Sequence, residues 1–231
     1  MLVRTVSFVA AVTLSSFSSD HVSAAGVASG TGPLYNKCGS VLRPGPNWGG
    51  QFNLKLKEMS GQGKQLCFTP GRYDGQVFLN GIHKLNIVAP QGGAVFVSNK
   101  PIKTTAPANF EQEDASFNIR DSSDLTFTGI SISNNARYPD RVTHKVSRAL
   151  VIQNSQNIEF QSTNVSSSGK STVVVETSSV KFLNSRFECY YFCIAGSGNK
   201  TAKASVHAID SECVINHKQE AHDIHPAAWT G

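Results

Sequence analysis

The stretch "LTFTGISI", Leu125 to Ile132, recurs in altered form at three later points of the chain: "IEFQSTNV" from Ile158, "VKFLNSRF" from Val180 and "VHAIDSEC" from Val206. The four align without gaps, and their first, third and eighth positions are apolar or Cys in every copy. These are Leu125, Phe127 and Ile132; Ile158, Phe160 and Val165; Val180, Phe182 and Phe187; and Val206, Ala208 and Cys213. A fifth copy, "LNIVAPQG" from Leu85, keeps Leu85 and Ile87 and loses the last position. Side chains of an extended chain alternate between two faces, so positions one and three share a face. So short a segment cannot bury such a face alone, and the copies must therefore stack on one another.

The closest two copies begin at Ile158 and Val180, and that step is one supersecondary unit. Upstream of three copies lies a second alternating run, "SFNIR", "ALVIQ" and "TVVVE", joined to its copy through the polar turns "DSSD", "NSQN" and "TSS". From about Gly63 onward the chain is rich in Val, Ile, Phe, Thr, Ser and Asn and lacks helical periodicity, which predicts strands. One unit of two or three short strands separated by turns is one coil of a β-solenoid, whose equivalent strands pair in parallel at about 4.8 Å. The expected fold class is all-β, a single-domain solenoid with coils of about 22–26 residues.

The segment from Met1 to Ala25 carries one early cation, Arg4, an apolar run from Ser7 to Leu14, and small residues in "HVSAAG", which together read as a secretory leader. The apolar run is shorter than the roughly 20 residues that span a bilayer. The expectation is a secreted, extracellular chain of about 206 mature residues, within the size of one all-β domain. Its parts would be an N-terminal cap region over 26–62, the solenoid over 63–216, and a C-terminal cap or tail over 217–231.

Export permits disulfides, and the five cysteines are Cys38, Cys67, Cys189, Cys193 and Cys213. Cys38 and Cys67 are expected to staple the N-terminal cap. Because Cys213 aligns with Phe187, and Cys189 follows two residues later on the same face, the second bridge is expected between Cys189 and Cys213, leaving Cys193 unpaired. The sequons "NVS" at Asn164 and "NKT" at Asn199 are candidate glycosylation sites.

The run "GKQLCFTPGRYDGQVFLNGIHKLNIVAPQGGAVF", with its P-G-x-Y-x-G-x-V pattern, resembles the first coils of right-handed parallel β-helix proteins of the pectate-lyase-like (pectin lyase fold) superfamily. "FNIRDSSDLTFTGISISN" resembles a later coil. The resemblance covers roughly residues 63 to 216, implies the right hand of the helix, and says little about activity, because this scaffold hosts many functions. No run matches the aspartate-rich calcium motif of pectate lyases, the paired motifs of pectin methylesterases or the aspartate set of polygalacturonases. No catalytic residue therefore transfers by position. Calcium is the cofactor that the resemblance allows, without a motif for it.

The step from the Leu125 copy to the Ile158 copy is half as long again as the step from Ile158 to Val180, and the excess falls around 135–148. This insertion carries Arg137, Tyr138, Asp140, Arg141, His144, Lys145 and Arg148. The still longer step from Leu85 to Leu125 implies a second loop over 100–114. Loops on a rigid scaffold commonly carry binding groups. A net charge of +5 and a pI near 9.0 favour a polyanion, and for an exported protein that is an acidic polysaccharide. Neither nucleic acid nor membrane is expected as a partner, and the chain is expected to be a monomer.

The chemistry that the resemblance implies is β-elimination on a polyuronate: cations neutralise the uronate carboxylate, a base takes the C5 proton and an acid assists the leaving oxygen. The candidate catalytic residues are Arg141 and Lys145 as base and Tyr138 and His144 as acid. Candidate substrate-binding residues are Arg137 and Arg148 in the insertion, with Arg120 and Glu176 on the scaffold. Arg120, Gln153 and Glu176 occupy equivalent outward positions and so form a column. A second column holds Asn86, Thr126, Glu159, Lys181 and His207, read as a charge ladder, and a third holds Ser131, Asn164, Arg186 and Glu212. The terminal "HKQEAHDIH" fits no metal template, and no metal ligands are assigned. The alternative function is a non-catalytic carbohydrate-binding or host-surface-interacting β-helix. An ice-binding or purely structural solenoid would need a flat, repeated Thr ladder, and the charged columns argue against it.

Overall fold

Each of the four full repeat copies bends at its fifth position. Gly129, Ser162, Asn184 and Asp210 occupy that position, and all have positive φ, between 48° and 71°. Gly, Asn and Asp, which tolerate this left-handed conformation best, hold three of the four positions, and Ser162 holds the other. A second corner, at Gly81, Asp121, Asn154 and Thr177, has φ between 48° and 65° and ends each upstream run. The chain therefore turns at fixed points, and the strands between are short.

A computed structural model describes residues 33–90, 93–98, 115–135, 148–167, 171–189, 192–197 and 203–215. After β1 (Ser40–Leu42) and helix α1 (Trp48–Met59), the strands come in threes: β2 (Gln65–Phe68), β3 (Gly71–Asp74) and β4 (Val77–Asn80); then β5 (His83–Val88), β6 (Ala94–Ser98) and β7 (Phe117–Arg120). There follow β8 (Ser123–Thr128), β9 (Ile130–Asn134) and β10 (Leu150–Gln153); β11 (Gln156–Gln161), β12 (Asn164–Ser167) and β13 (Ser171–Glu176); and β14 (Ser179–Leu183), β15 (Arg186–Cys189) and β16 (Phe192–Ser197). The last pair is β17 (Ser205–Ile209) and β18 (Glu212–Ile215). Each strand pairs in parallel with its equivalent in the next coil, giving sheets of seven (β1-β2-β5-β8-β11-β14-β17), six (β3-β6-β9-β12-β15-β18) and five strands (β4-β7-β10-β13-β16). The chain is a parallel β-helix, as expected. Among the described residues no helix is long and apolar enough to cross a membrane.

Backbone groups at a corner cannot enter the strand ladders, so other partners must satisfy them. At the second corner Ser122, Ser155 and Ser178 directly follow the left-handed residue. Ser122 N–H donates to Ser155 Oγ at 3.2 Å, and Ser155 N–H donates to Ser178 Oγ at 2.9 Å. Each hydroxyl then donates to the carbonyl two residues earlier in its own coil, at 2.6–2.7 Å. The preceding residue adds a bond of its own: Asp121 N–H to Gln153 O and Asn154 N–H to Glu176 O, both 3.1 Å. The first corner repeats the device, with Ser185 N–H on Ser211 Oγ at 3.1 Å and Ser185 Oγ on Leu183 O at 2.9 Å.

Inside the tube the repeat positions stack in register. Phe127 lies opposite Phe160, and Phe160 opposite Phe182, with ring centroids 4.6 and 5.1 Å apart and planes within 20°. That separation is close to the spacing of adjacent strands, so the coil pitch sets the ring stack. All three rings are fully buried.

At the N-terminal end the cap region contains α1, which no strand pattern announces. Trp48, Phe52, Leu56 and Met59 follow helical spacing and are its buried residues. They pack on Phe68, Tyr73 and Phe96, with Trp48 edge-on to Tyr73 at 5.3 Å and Phe52 5.5 Å from Phe68. A solenoid needs such a cover over its first coil. Tyr73 is wholly buried, and its hydroxyl donates to Thr69 O at 2.9 Å, with Leu42 O a second acceptor within reach at 3.1 Å. Burial pushes its pKa up to about 12.

Cys38 and Cys67 are bridged, as expected. The second bridge corrects the expectation: it joins Cys193 to Cys213, and Cys189 is the free, buried thiol. Cys213 pairs with Phe187, and Cys189 with Ile215. A two-residue offset of about 6.6 Å along the strand, combined with about 4.8 Å between strands, puts the Cα atoms of Cys189 and Cys213 about 8 Å apart, too far for a bridge. Cys193, on the third strand of the same coil, brings its Cα within 6.0 Å of that of Cys213.

Ser155→Ala leaves the buried Ser122 N–H without its acceptor, and the expected cost is about 1–3 kcal/mol in urea unfolding at pH 7; an unchanged midpoint would mean that the serine ladder is ornamental. Tyr73→Phe should cost about 1–2 kcal/mol at pH 7 for the same reason. The folded tyrosine keeps its proton between pH 10 and about 12, where the unfolded one has lost it, so this contribution is complete below pH 10 and disappears as pH rises through that window. The variant's stability should accordingly fall less steeply than the wild type's across the same range.

Candidate functional site

The outward face of the five-stranded sheet is unlike the other two faces. Along β7, β10 and β13, Phe117, Ile119, Leu150, Ile152, Val173 and Val175 point into the core, so Asn118, Val151 and Val174 point out. Yet these three are almost wholly buried, and Val151 and Val174 join Ala115 and Ala195 in a small apolar cluster separate from the main core. Asn118 is anchored: its Oδ1 accepts from Ala115 N–H at 2.9 Å, and its Nδ2 donates to Ala115 O at 2.8 Å and Val77 O at 3.2 Å.

Beside this cluster runs the polar column. Asn80, Arg120, Gln153 and Glu176 lie opposite one another on successive strands. Gln153 is buried, and its Nε2 donates to Glu176 Oε2 at 2.8 Å. Arg148 enters just before β10. Its carbonyl accepts from Asn134 Nδ2 at 2.9 Å, which ties the end of the insertion to β9. Its side chain is buried, and burial pushes the guanidinium down to about 10 while the Glu176 carboxylate pulls it back up. At neutral pH Arg148 is still a cation, held in low dielectric beside an anion. Glu176 is the only carboxylate among the described residues of β4, β7, β10, β13 and β16.

Of the residues singled out from sequence, Arg120, Arg148 and Glu176 are gathered here. Arg137, Tyr138, Arg141, His144 and Lys145 lie outside the described residues, as do the loop over 100–114 and the terminal histidines. Arg148 closes the basic insertion and is buried where the chain returns to the scaffold, directly before the alternating "ALVIQ". Sequence reasoning does not find Asn118 or Asn134: Asn118 is buried on an outward position of β7, and Asn134 occupies an inward position at the end of β9, and neither placement has a periodic signature.

The second column has the expected register and is an exposed charge ladder, with Lys181 Nζ 3.9 Å from Glu159. In the third, Arg186 bonds both Glu188 and Glu212, and Asn164 is exposed. A shallow groove lined by Asn47, Trp48, Leu54, Asp74 and Gln76 lies at the start of α1, but Trp48 turns its ring into the core and offers no stacking platform. Calcium asks for six to eight oxygen ligands. Among the described residues the carboxylates do not gather in threes, so they do not fit that ion; the one cluster of three His, Cys, Asp or Glu side chains is Cys189, Cys193 and Cys213, two of which share a disulfide.

No protein-family model matches the chain. No curated protein matches it either. Among solved structures it is similar to a pectin methylesterase mutant in complex with a hexasaccharide, at TM-score 0.50 and 13% identity over 68% of this chain and 49% of that one. It is also similar to a pectin methylesterase in complex with another hexasaccharide, at 0.46 and 11% over 78% and 67%, and to pectin methylesterase PemA from Erwinia chrysanthemi, at 0.41 and 12% over 66% and 54%. The chain spans about half the length of the first of these. At such identity the likeness is one of fold, a right-handed parallel β-helix.

If Glu176 holds the buried Arg148, the two should be coupled. Glu176→Gln is expected to destabilise by about 1–2 kcal/mol, since the pair is only partly buried, and by at least about 0.5 kcal/mol less in an Arg148→Met background. Equal costs in both backgrounds, measured by urea unfolding, would dissociate the two side chains.

Proposed function

We propose that the outer face of β7, β10 and β13 binds an acidic polysaccharide, and that the protein acts on or adheres to such a polymer outside the cell. The observation that carries this reading is the line of Arg120, Gln153 and Glu176 on adjacent coils, with the buried cation Arg148 beside it. Guanidinium groups suit carboxylates because they form paired, charge-assisted hydrogen bonds. An amide and a carboxylate at strand spacing suit the hydroxyls of neighbouring sugars. The net charge of +5 supports a polyanion, and the leader-like segment that precedes Gly26 supports export. The fold shared with a pectin methylesterase in complex with a hexasaccharide makes a polyuronate the natural first ligand to try.

The finer reading is a lyase working by β-elimination. Arg120 and Arg148 would neutralise the uronate carboxylate and so acidify the adjacent C–H. Arg148, with a pKa near 10, stays charged at neutral pH and serves as clamp; the base falls to Arg141 or Lys145 and the acid to Tyr138 or His144. The second reading is a non-catalytic carbohydrate-binding β-helix, favoured because the sequence has no run that matches the catalytic motifs of the superfamily.

Retention on immobilised polygalacturonate tests the proposal. Arg120→Gln and Arg148→Gln, checked for folding by circular dichroism, should each weaken binding about tenfold, the loss of one charge-assisted contact. Wild-type binding should weaken with salt and fall as pH passes about 10, where Arg148 loses its proton. Two folded variants that bind as well as wild type would overturn the site. Release of unsaturated, ultraviolet-absorbing ends that vanishes in Arg141→Gln/Lys145→Gln would add the lyase step; binding without such product leaves a carbohydrate-binding β-helix.

A further inference from the structure

Three sulfurs converge at the C-terminal end of the solenoid. The Sγ atoms of Cys189, Cys193 and Cys213 lie within 4.8 Å of one another. Cys193 and Cys213 form the bridge, and Cys189 Sγ sits 2.8 Å from Cys193 Sγ, inside ordinary van der Waals contact. Cys189 ends β15 and Cys193 lies in β16 of the same coil, whereas Cys213 belongs to β18 of the next. Cys189 and Cys193 are buried, and Cys213 is exposed.

A thiol touching a disulfide is set up for exchange, in which the thiolate attacks one sulfur and expels the other. Here the sulfur within reach is Cys193, and the group expelled is Cys213. We propose that these cysteines form an intramolecular exchange site, in which Cys189 takes over the bridge to Cys193 and Cys213 is released as a surface thiol open to an outside electrophile or disulfide. The Cys189–Cys193 bond forms as the Cys193–Cys213 bond breaks, and the proton that leaves Cys189 ends on Cys213. No oxidant or reductant is consumed, since one disulfide and one thiol stand on each side.

The exchange has a structural consequence. The bridge between coils, with a sequence separation of 20, becomes a bridge within one coil, and β17–β18 lose their covalent tie. Among the described strands, β17 and β18 end their sheets and have a ladder partner on one side only. Ile209 and Ile215 on them are exposed. Burial pushes the Cys189 thiol up to about 11, so its thiolate is scarce at neutral pH and exchange is slow until capture of Cys213 draws it forward.

The test is alkylation of the native, full-length protein with excess iodoacetamide at pH 8, followed by digestion with pepsin in acid, which prevents reshuffling, and peptide mapping. The expected result is a carbamidomethyl group on Cys213 together with a Cys189–Cys193 bridge, growing with time, and neither in Cys189→Ser. Label on Cys189 with the Cys193–Cys213 bridge retained would overturn the proposal. So would a native protein that stays unlabelled for days while the urea-unfolded chain is labelled at Cys189.

Discussion

The architecture depends on how its corners satisfy their backbone. A solenoid must bend the chain at least twice per coil, and each bend removes N–H and C=O groups from the strand ladders. Left buried and unpaired, each would cost about 1–3 kcal/mol, repeated at every coil. Here a left-handed residue turns the chain and hands its N–H to the next coil, and the serine after it offers one hydroxyl as acceptor to the neighbouring coil and donor to its own. The pairs Asp121-Ser122, Asn154-Ser155, Asn184-Ser185 and Asp210-Ser211 are therefore the repeat's real joints. The strands between them follow once the corners are in register.

Register has two outcomes. Inward, it aligns like with like, so Phe127, Phe160 and Phe182 form one ring stack at the coil pitch. Outward, it brings unlike side chains into lines, and their character then depends on burial. Glu159, Lys181 and His207 are in water, where such pairs contribute little. Arg120, Gln153, Glu176 and Arg148 stand on a face whose neighbours are almost wholly buried, where a charge interacts strongly with whatever anion or hydroxyl it meets. The same scaffold thus makes one face a surface and another a candidate site.

The aligned copies carried the fold because period and alternation are local properties of the chain: Leu125, Ile158, Val180 and their partners declare one buried face whatever surrounds them. The columns were legible for the same reason, since equivalent positions of successive coils must stack. Helix α1 was not, although Trp48, Phe52, Leu56 and Met59 hold helical spacing, because a single unrepeated helix has no second copy to support it.

By itself, then, the sequence determined the parallel β-helix, its inward positions and the membership of its outward columns, all of which follow from spacing along the chain. Only the tertiary structure decided which column is buried, that Arg148, at the end of the insertion, is buried beside Glu176, and that Cys193, not Cys189, bridges to Cys213. These are distances between residues far apart in sequence. A residue's place in the repeat says which neighbour it stacks on, but not how far its side chain must reach diagonally or whether water reaches it.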